Sequence, residues 1–167
     1  GRWVNAARAY LQHAGIPVQA ALPFSLAPHH YIRPDLRNHR KVVAIDHHIC
    51  YTGSQNVIDK TYHRHDSLYY AELVVRMEGD VTKHAEIVFA TDWLAETKEN
   101  IFLLDLVPRR HNKTTNLRAQ VLPSGPGYSD ENNLKVFTAL FYSAEQSITI
   151  VNPYFVPDSA LMTALES

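Results

Sequence analysis

The chain has 167 residues, 46% of them apolar, with 16 Lys+Arg against 17 Asp+Glu and a net charge of −1. Its length is enough to bury a sizeable core in one domain, or in one and part of another, and the charge balance excludes a general attraction for nucleic acid or repulsion from anionic lipid. There is no run near the roughly 18 apolar residues of a membrane span and no charged start with an apolar signal core, and the single Cys50 excludes an internal disulfide.

In chain order, Trp3, Ala6, Ala7, Tyr10, Leu11 and Ala14 recur at helical spacing with Gly15 as a C-terminal cap, which predicts a helix over 2–14. The chain opens at Gly1 directly on this pattern, without Met or leader, so it reads as a soluble piece of something longer. A strand is expected over Pro17–Leu22, then a loop over 23–38 containing Pro23, Pro28, Pro34 and the pair His29-His30. Lys41–Asp46 and Ile49–Thr52 read as a hairpin turning at His47-His48, with Cys50 as buried filler. Ser54 to Thr61 reads as a short helix or turn, and Leu68–Glu78 as a strand ending at Gly79. From Asp80, an expected N-cap, a core helix presents Val81, Ala85, Val88, Phe89 and Trp93 on one face to about Lys98. Residues 99–117, with the basic patch Arg109-Arg110-His111-Asn112-Lys113, read as a connection. A second unit follows: strand Arg118–Leu122, loop Pro123–Gly127, helix Asp130–Ala144, strand Ser147–Val151, loop Asn152–Pro157 and helix Asp158–Leu165. This alternation predicts an α/β sandwich, and the chain stops at Ser167 with the second unit still being built.

The chemistry concentrates in His39–Asn56: His39-Arg40-Lys41, four residues, Asp46, six more, then Gly53-Ser54-Gln55-Asn56. Residues at i and i+2 of a strand share a face, so His39 and Lys41 are expected to point the same way. Imidazole attacks phosphorus at neutral pH, splitting one displacement into two through a phosphohistidine, and Lys41 would neutralise the charge building on the non-bridging oxygens. An isolated pair would be no more than polar residues at the solvent-facing start of a strand; Asp46 and the Gly-Ser-Gln-Asn turn reverse that reading. Ser54 and Asn56 offer a hydroxyl and an amide to phosphate oxygens, and Gly53 permits a turn that brings backbone close to the ligand. Asp46 is counted with the catalytic motif, but its opposite strand parity gives it a hydrogen-bonding role. Glu72 is the candidate partner that orients the His39 ring, with an exposed strand-end carboxylate as the equal alternative. His29-His30, His47-His48 and His63/His65 lack a zinc spacing, so no metal site is expected. Arg33, Arg37, Arg40 and Lys41 against the single Asp35 make a locally basic approach.

All the motif positions at this spacing resemble the HKD motif of the phospholipase D superfamily, His-x-Lys, four residues, Asp, six residues, Gly-Ser-x-Asn. Within it the chain is similar to bacterial cardiolipin synthases, through Asn38-His39-Arg40-Lys41, Thr52–Asn56, Val74–Gly79, Asp92-Trp93, Val121–Gly127 and Pro153–Asp158, in order. The resemblance implies an α-β-α sandwich with a mixed sheet. Residues 1–105 would be most of the first HKD domain, incomplete at its start, 106–117 a connection, and 118–167 the truncated beginning of the second. It implies one active site between two halves, each with its own motif, and Glu72 is similar in placement to the acidic residue that backs the superfamily's histidine. The implied reaction moves a phosphatidyl group between two phosphatidylglycerol molecules through a phosphohistidine, giving cardiolipin and glycerol without a cofactor. His39, Lys41 and Asp46 would be the catalytic motif, and Lys41, Ser54 and Asn56 the phosphate contacts. No second His-x-Lys…Asp occurs in the chain, so alone it is expected to be inactive. Expected partners are phosphatidylglycerol and other phospholipid headgroups and, through the full-length protein, the cytoplasmic face of the bacterial inner membrane, with no nucleic acid and with self-association through uncovered surfaces. The alternatives are a homodimeric phosphodiesterase or nuclease pairing two single motifs across a two-fold axis, and a non-catalytic phosphate-headgroup-binding module.

Overall fold

The computed structural model describes residues 2–22, 37–58, 71–101, 117–125, 127–128 and 131–167. The chain divides into two compact units, Gly1–Val121 and Leu122–Ser167, and its class is α/β.

In the first unit, helix α1 (Arg2–His13) ends where its amphipathic spacing ends. Gly15 takes the left-handed conformation, φ +75°, that a residue without Cβ reaches at no steric cost. The last turn is closed by Ala14 N–H donating to the Tyr10 carbonyl (3.1 Å) and Ile16 N–H to that of Leu11 (3.0 Å). The expected strand Pro17–Leu22 is not one: the segment joins no ladder in the described sheet. Pro17 cannot donate to a ladder, and Leu22, at φ +47°, turns its N–H to Glu96 Oε1 (2.7 Å) on a helix instead.

The sheet has three antiparallel strands in the order β1 (Val42–Ile45), β2 (Ile49–Gly53) and β3 (Val74–Glu78). The β1–β2 hairpin turns through Asp46, His47 and His48. Asp46 (φ +52°) and His47 (φ +55°) are both left-handed, residue types that tolerate this region better than most, and His48 N–H closes on the Ile45 carbonyl (3.0 Å). In register, Val42 pairs with Thr52 and Thr52 with Val75, and Ala44 pairs with Cys50 and Cys50 with Met77. Cys50 is fully buried on this face. The other face carries Val43, Ile45 and Val74, each more than two-fifths exposed.

Helix α2 (Asp80–Thr97) packs on the Cys50 face. Its N-cap is Gly79 rather than Asp80, which is the first helical residue and pairs with Lys83 Nζ at 3.0 Å. The buried row is Thr82, Ala85, Val88 and Ala90, while Phe89 is 49% exposed. The inward face is thus rotated from the one expected, because small residues let the helix sit close to the sheet, and Thr82 satisfies its hydroxyl by donating to the His48 carbonyl (3.2 Å). No helix is described over 54–58, and the rest of the expected Ser54–Thr61 element lies outside the described residues, as do the loop 23–36, the strand start 68–70 and the basic patch Arg109–Lys113.

In the second unit, α3 (Asn132–Tyr142) and α4 (Ser159–Glu166) pack on one another, burying Ala164. Asp158 caps α4, its Oδ1 accepting from Leu161 N–H at 2.9 Å. The expected strand Ser147–Val151 carries no ladder, nor does Arg118–Leu122. Among the described residues no helix is long and apolar enough to cross a membrane.

Candidate functional site

The segment entering β1 is organised by alternation. Asn38, Arg40 and Val42 point toward α2, where with Gln19, Ala21, Val88, Phe89, Asp92, Trp93 and Glu96 they line a cleft of about 250 Å³. Arg40 Nη1 donates to Asp92 Oδ1 (2.7 Å) and Oδ2 (2.8 Å). Asn38 Nδ2 donates to Asp92 Oδ2 (2.8 Å), and Asn38 Oδ1 accepts from Arg40 N–H (2.9 Å). With the even positions taken by α2, strand alternation puts His39 and Lys41 on the other side. His39 is exposed there, and Lys41 Nζ folds back to the His39 carbonyl at 2.8 Å. The two motif residues thus meet through the Lys41 ammonium and the His39 carbonyl, with the His39 side chain exposed.

Arg40 is not part of an unneutralised basic approach, since Asp92 takes its charge; of the rest of that approach, Arg37 and Lys41 are described, and Arg33 and Asp35 lie outside the described residues. Asp46 sits at the hairpin turn, at the opposite end of β1 from His39. There it serves the backbone through its left-handed φ.

Ser54 and Glu72 meet. Ser54 Oγ donates to Glu72 Oε2 and accepts from Leu73 N–H (3.0 Å), and Ser54 N–H donates to the Leu73 carbonyl (2.9 Å). The carboxylate expected to back His39 is thus engaged by the motif's own serine, because the extended approach of 71–73 runs beside the turn after β2. Gly53 makes this possible. A Cβ there would lie 2.8 Å from Val74 Cα and 3.0 Å from Leu73 C, and would collide with the Leu73 oxygen. The glycine brings backbone close to backbone, where the sequence pointed to a close approach to ligand. Asn56 is exposed two residues on.

At the hairpin tip, His47 Nδ1 lies 3.0 Å from Glu86 Oε1. Burial, and secondarily the charge of Glu86, pushes the Cys50 thiol above its ordinary value. The residues that alternation alone did not reveal are Asn38 and Asp92. Their signal was present only as two separate sequence blocks, 54 positions apart, with nothing to say that they touch.

Comparison with known proteins places this geometry in context. The chain is 35% identical over 160 residues to "Cardiolipin synthase A" of Wigglesworthia glossinidia brevipalpis, covering 93% of the chain and 32% of the relative. It is 37% identical over 161 residues to the protein of that name from Serratia proteamaculans (93% and 33%) and 37% over 163 residues to that from Edwardsiella ictaluri (94% and 33%). The chain spans about a third of the length of these curated relatives. No protein-family model matches it, and no solved structure does. Over nearly all of its own length, the chain is a sequence relative of bacterial proteins named cardiolipin synthase A.

Proposed function

We propose that His39–Asn56 is one half of the active site of a phospholipase D-superfamily phosphatidyltransferase of the cardiolipin synthase kind. The observation that carries this reading is the kinship with cardiolipin synthases A across 93% of the chain, combined with an exposed His39 whose carbonyl accepts from Lys41 Nζ.

His39 attacks the phosphorus of phosphatidylglycerol, an N–P bond forms as the P–O bond to glycerol breaks, and the departing oxygen takes a proton from an acid of the other half. The hydroxyl of a second phosphatidylglycerol then attacks phosphorus and gives up its proton to the now deprotonated group of the other half, the N–P bond breaks, and cardiolipin is released. Lys41, Ser54 and Asn56 hold the non-bridging oxygens as charge accumulates. Glu72 fixes the hydroxyl of Ser54, and through it the turn that carries Asn56. Asp46 shapes the hairpin. On this reading residues 1–105 form most of one half, 106–117 a connection and 118–167 the start of the second. The substrates are phospholipids at a bacterial membrane surface, reached through the longer protein.

The test is cardiolipin formation from phosphatidylglycerol vesicles by the longer protein that contains this chain. Lys41→Ala is expected to lower kcat by about 10²–10³, the cost of removing one group that stabilises transition-state charge. Full turnover by that variant would remove Lys41 from the chemistry, and DNA cleavage by the chain alone would favour the paired phosphodiesterase.

A further inference from the structure

Asp92 lies on α2, outside the motif, yet it is tied to both residues that flank His39. Asn38 donates to it and Arg40 donates to both of its oxygens, and Asn38 closes the ring by accepting the Arg40 backbone N–H. This ring matters because the sheet does not hold His39: the first ladder pair of β1 is Val42 with Thr52. Residues 38–41 lie beyond the ladder, and this ring ties Asn38 and Arg40, on either side of His39, to α2. The Arg40 and Asp92 side chains are only 21% and 26% exposed, so these charge-assisted bonds are sheltered from much of the screening a surface pair suffers.

We infer that Asp92 is a positioning residue for His39, holding Asn38 and Arg40 against α2 so that His39 and Lys41 are presented together on the opposite side. The inference rests on the proposed role of His39 for its catalytic consequence, but not for its structural content. A carboxylate is needed because it offers two acceptor oxygens at once. An amide offers one, and puts an NH2 donor where the other oxygen stood, so in Asp92→Asn the Arg40 guanidinium meets a donor in place of Oδ1 and loses the charge that strengthened its bonds, and the ring loosens.

The test compares wild-type chain with Asp92→Asn by NMR of isotope-labelled histidine and by amide exchange. The His39 ring signal is expected to shift or broaden, and the Arg40 amide to exchange at least about tenfold faster, as local opening becomes easier, while the Cys50 and Tyr51 amides of β2 keep their protection. An unmoved His39 signal with unchanged Arg40 exchange overturns the inference, and so does an equal loss of protection throughout β2, which makes Asp92 a general structural residue. If Asp92→Asn does not fold, Asp92→Glu decides: it keeps both oxygens one methylene further out. A displaced His39 signal with β2 protected supports the inference, and no displacement overturns it. In the longer protein, Asp92→Asn is expected to lower kcat for phosphatidylglycerol with KM unchanged. If His39→Ala leaves that turnover intact, the functional reading fails, while the NMR comparison still decides the positioning role.

Discussion

Gly53 fixes how closely β2 approaches the segment leading into β3, and the Ser54–Glu72 contact follows from that approach. Gly53→Ala forces a Cβ against the Leu73 carbonyl and within 3.0 Å of Leu73 C, where the obstacle is backbone and cannot rotate away. The expected cost is about 1–3 kcal/mol, the usual range for overpacking, read as a lower urea midpoint at unchanged slope. Ser54→Ala is milder, because Ser54 and Glu72 are exposed and water replaces much of what is lost. A fall of about 1 kcal/mol or less is expected. At this scale the sequence was informative about identity and less so about partnership. The spacing singled out Gly53, Ser54, Glu72 and His39, while the contact of Ser54 with Glu72 and the close approach of Gly53 to Leu73 appear only in the fold. Such pairings depend on how two strands lie side by side, and spacing within one strand says nothing about that.

The helices were legible because their signal is local: the 3.6-residue repeat gives their place. Their caps were less so, since Gly79 rather than Asp80 caps α2 and Asp158, expected inside the helix, caps α4 by accepting from Leu161 N–H. Asp158→Ala is expected to destabilise α4 by about 1 kcal/mol and Asp158→Asn by far less, measured by amide exchange at Leu161. The expected strands Pro17–Leu22, Arg118–Leu122 and Ser147–Val151 carry no ladder, because a strand needs a hydrogen-bonded neighbour that its own residues do not specify. On the sheet, the packing of α2 over β2 buries Cys50 completely and keeps its thiol protonated above the ordinary value of 9.0. The folded chain thus holds this proton more tightly than the unfolded chain does. The associated stability is complete below pH 9.0 and is lost as pH rises past that unfolded value and then through the folded one. Thermal unfolding from pH 8 to 10 is therefore expected to show a steeper alkaline fall for the wild type than for Cys50→Ala. A thiol reagent is expected to react with Cys50 only as the chain unfolds.

At the scale of the whole molecule, the two units Gly1–Val121 and Leu122–Ser167 carry one His-x-Lys…Asp motif between them. On the proposed reading the chain supplies a nucleophile without its opposing acid, so the 167-residue chain alone is expected to form no cardiolipin from phosphatidylglycerol vesicles. A missing general acid alone costs about 10²–10⁴ in rate, and here the other half of the phosphate site is wanting too. The most direct test of the nucleophile is rapid quenching of the longer protein during turnover of phosphatidylglycerol, followed by mass analysis of the peptide that contains His39. An acid-labile phosphatidyl adduct on His39, absent from His39→Ala together with all cardiolipin formation, is the predicted result. An adduct on another residue, or undiminished cardiolipin formation by His39→Ala, would contradict it.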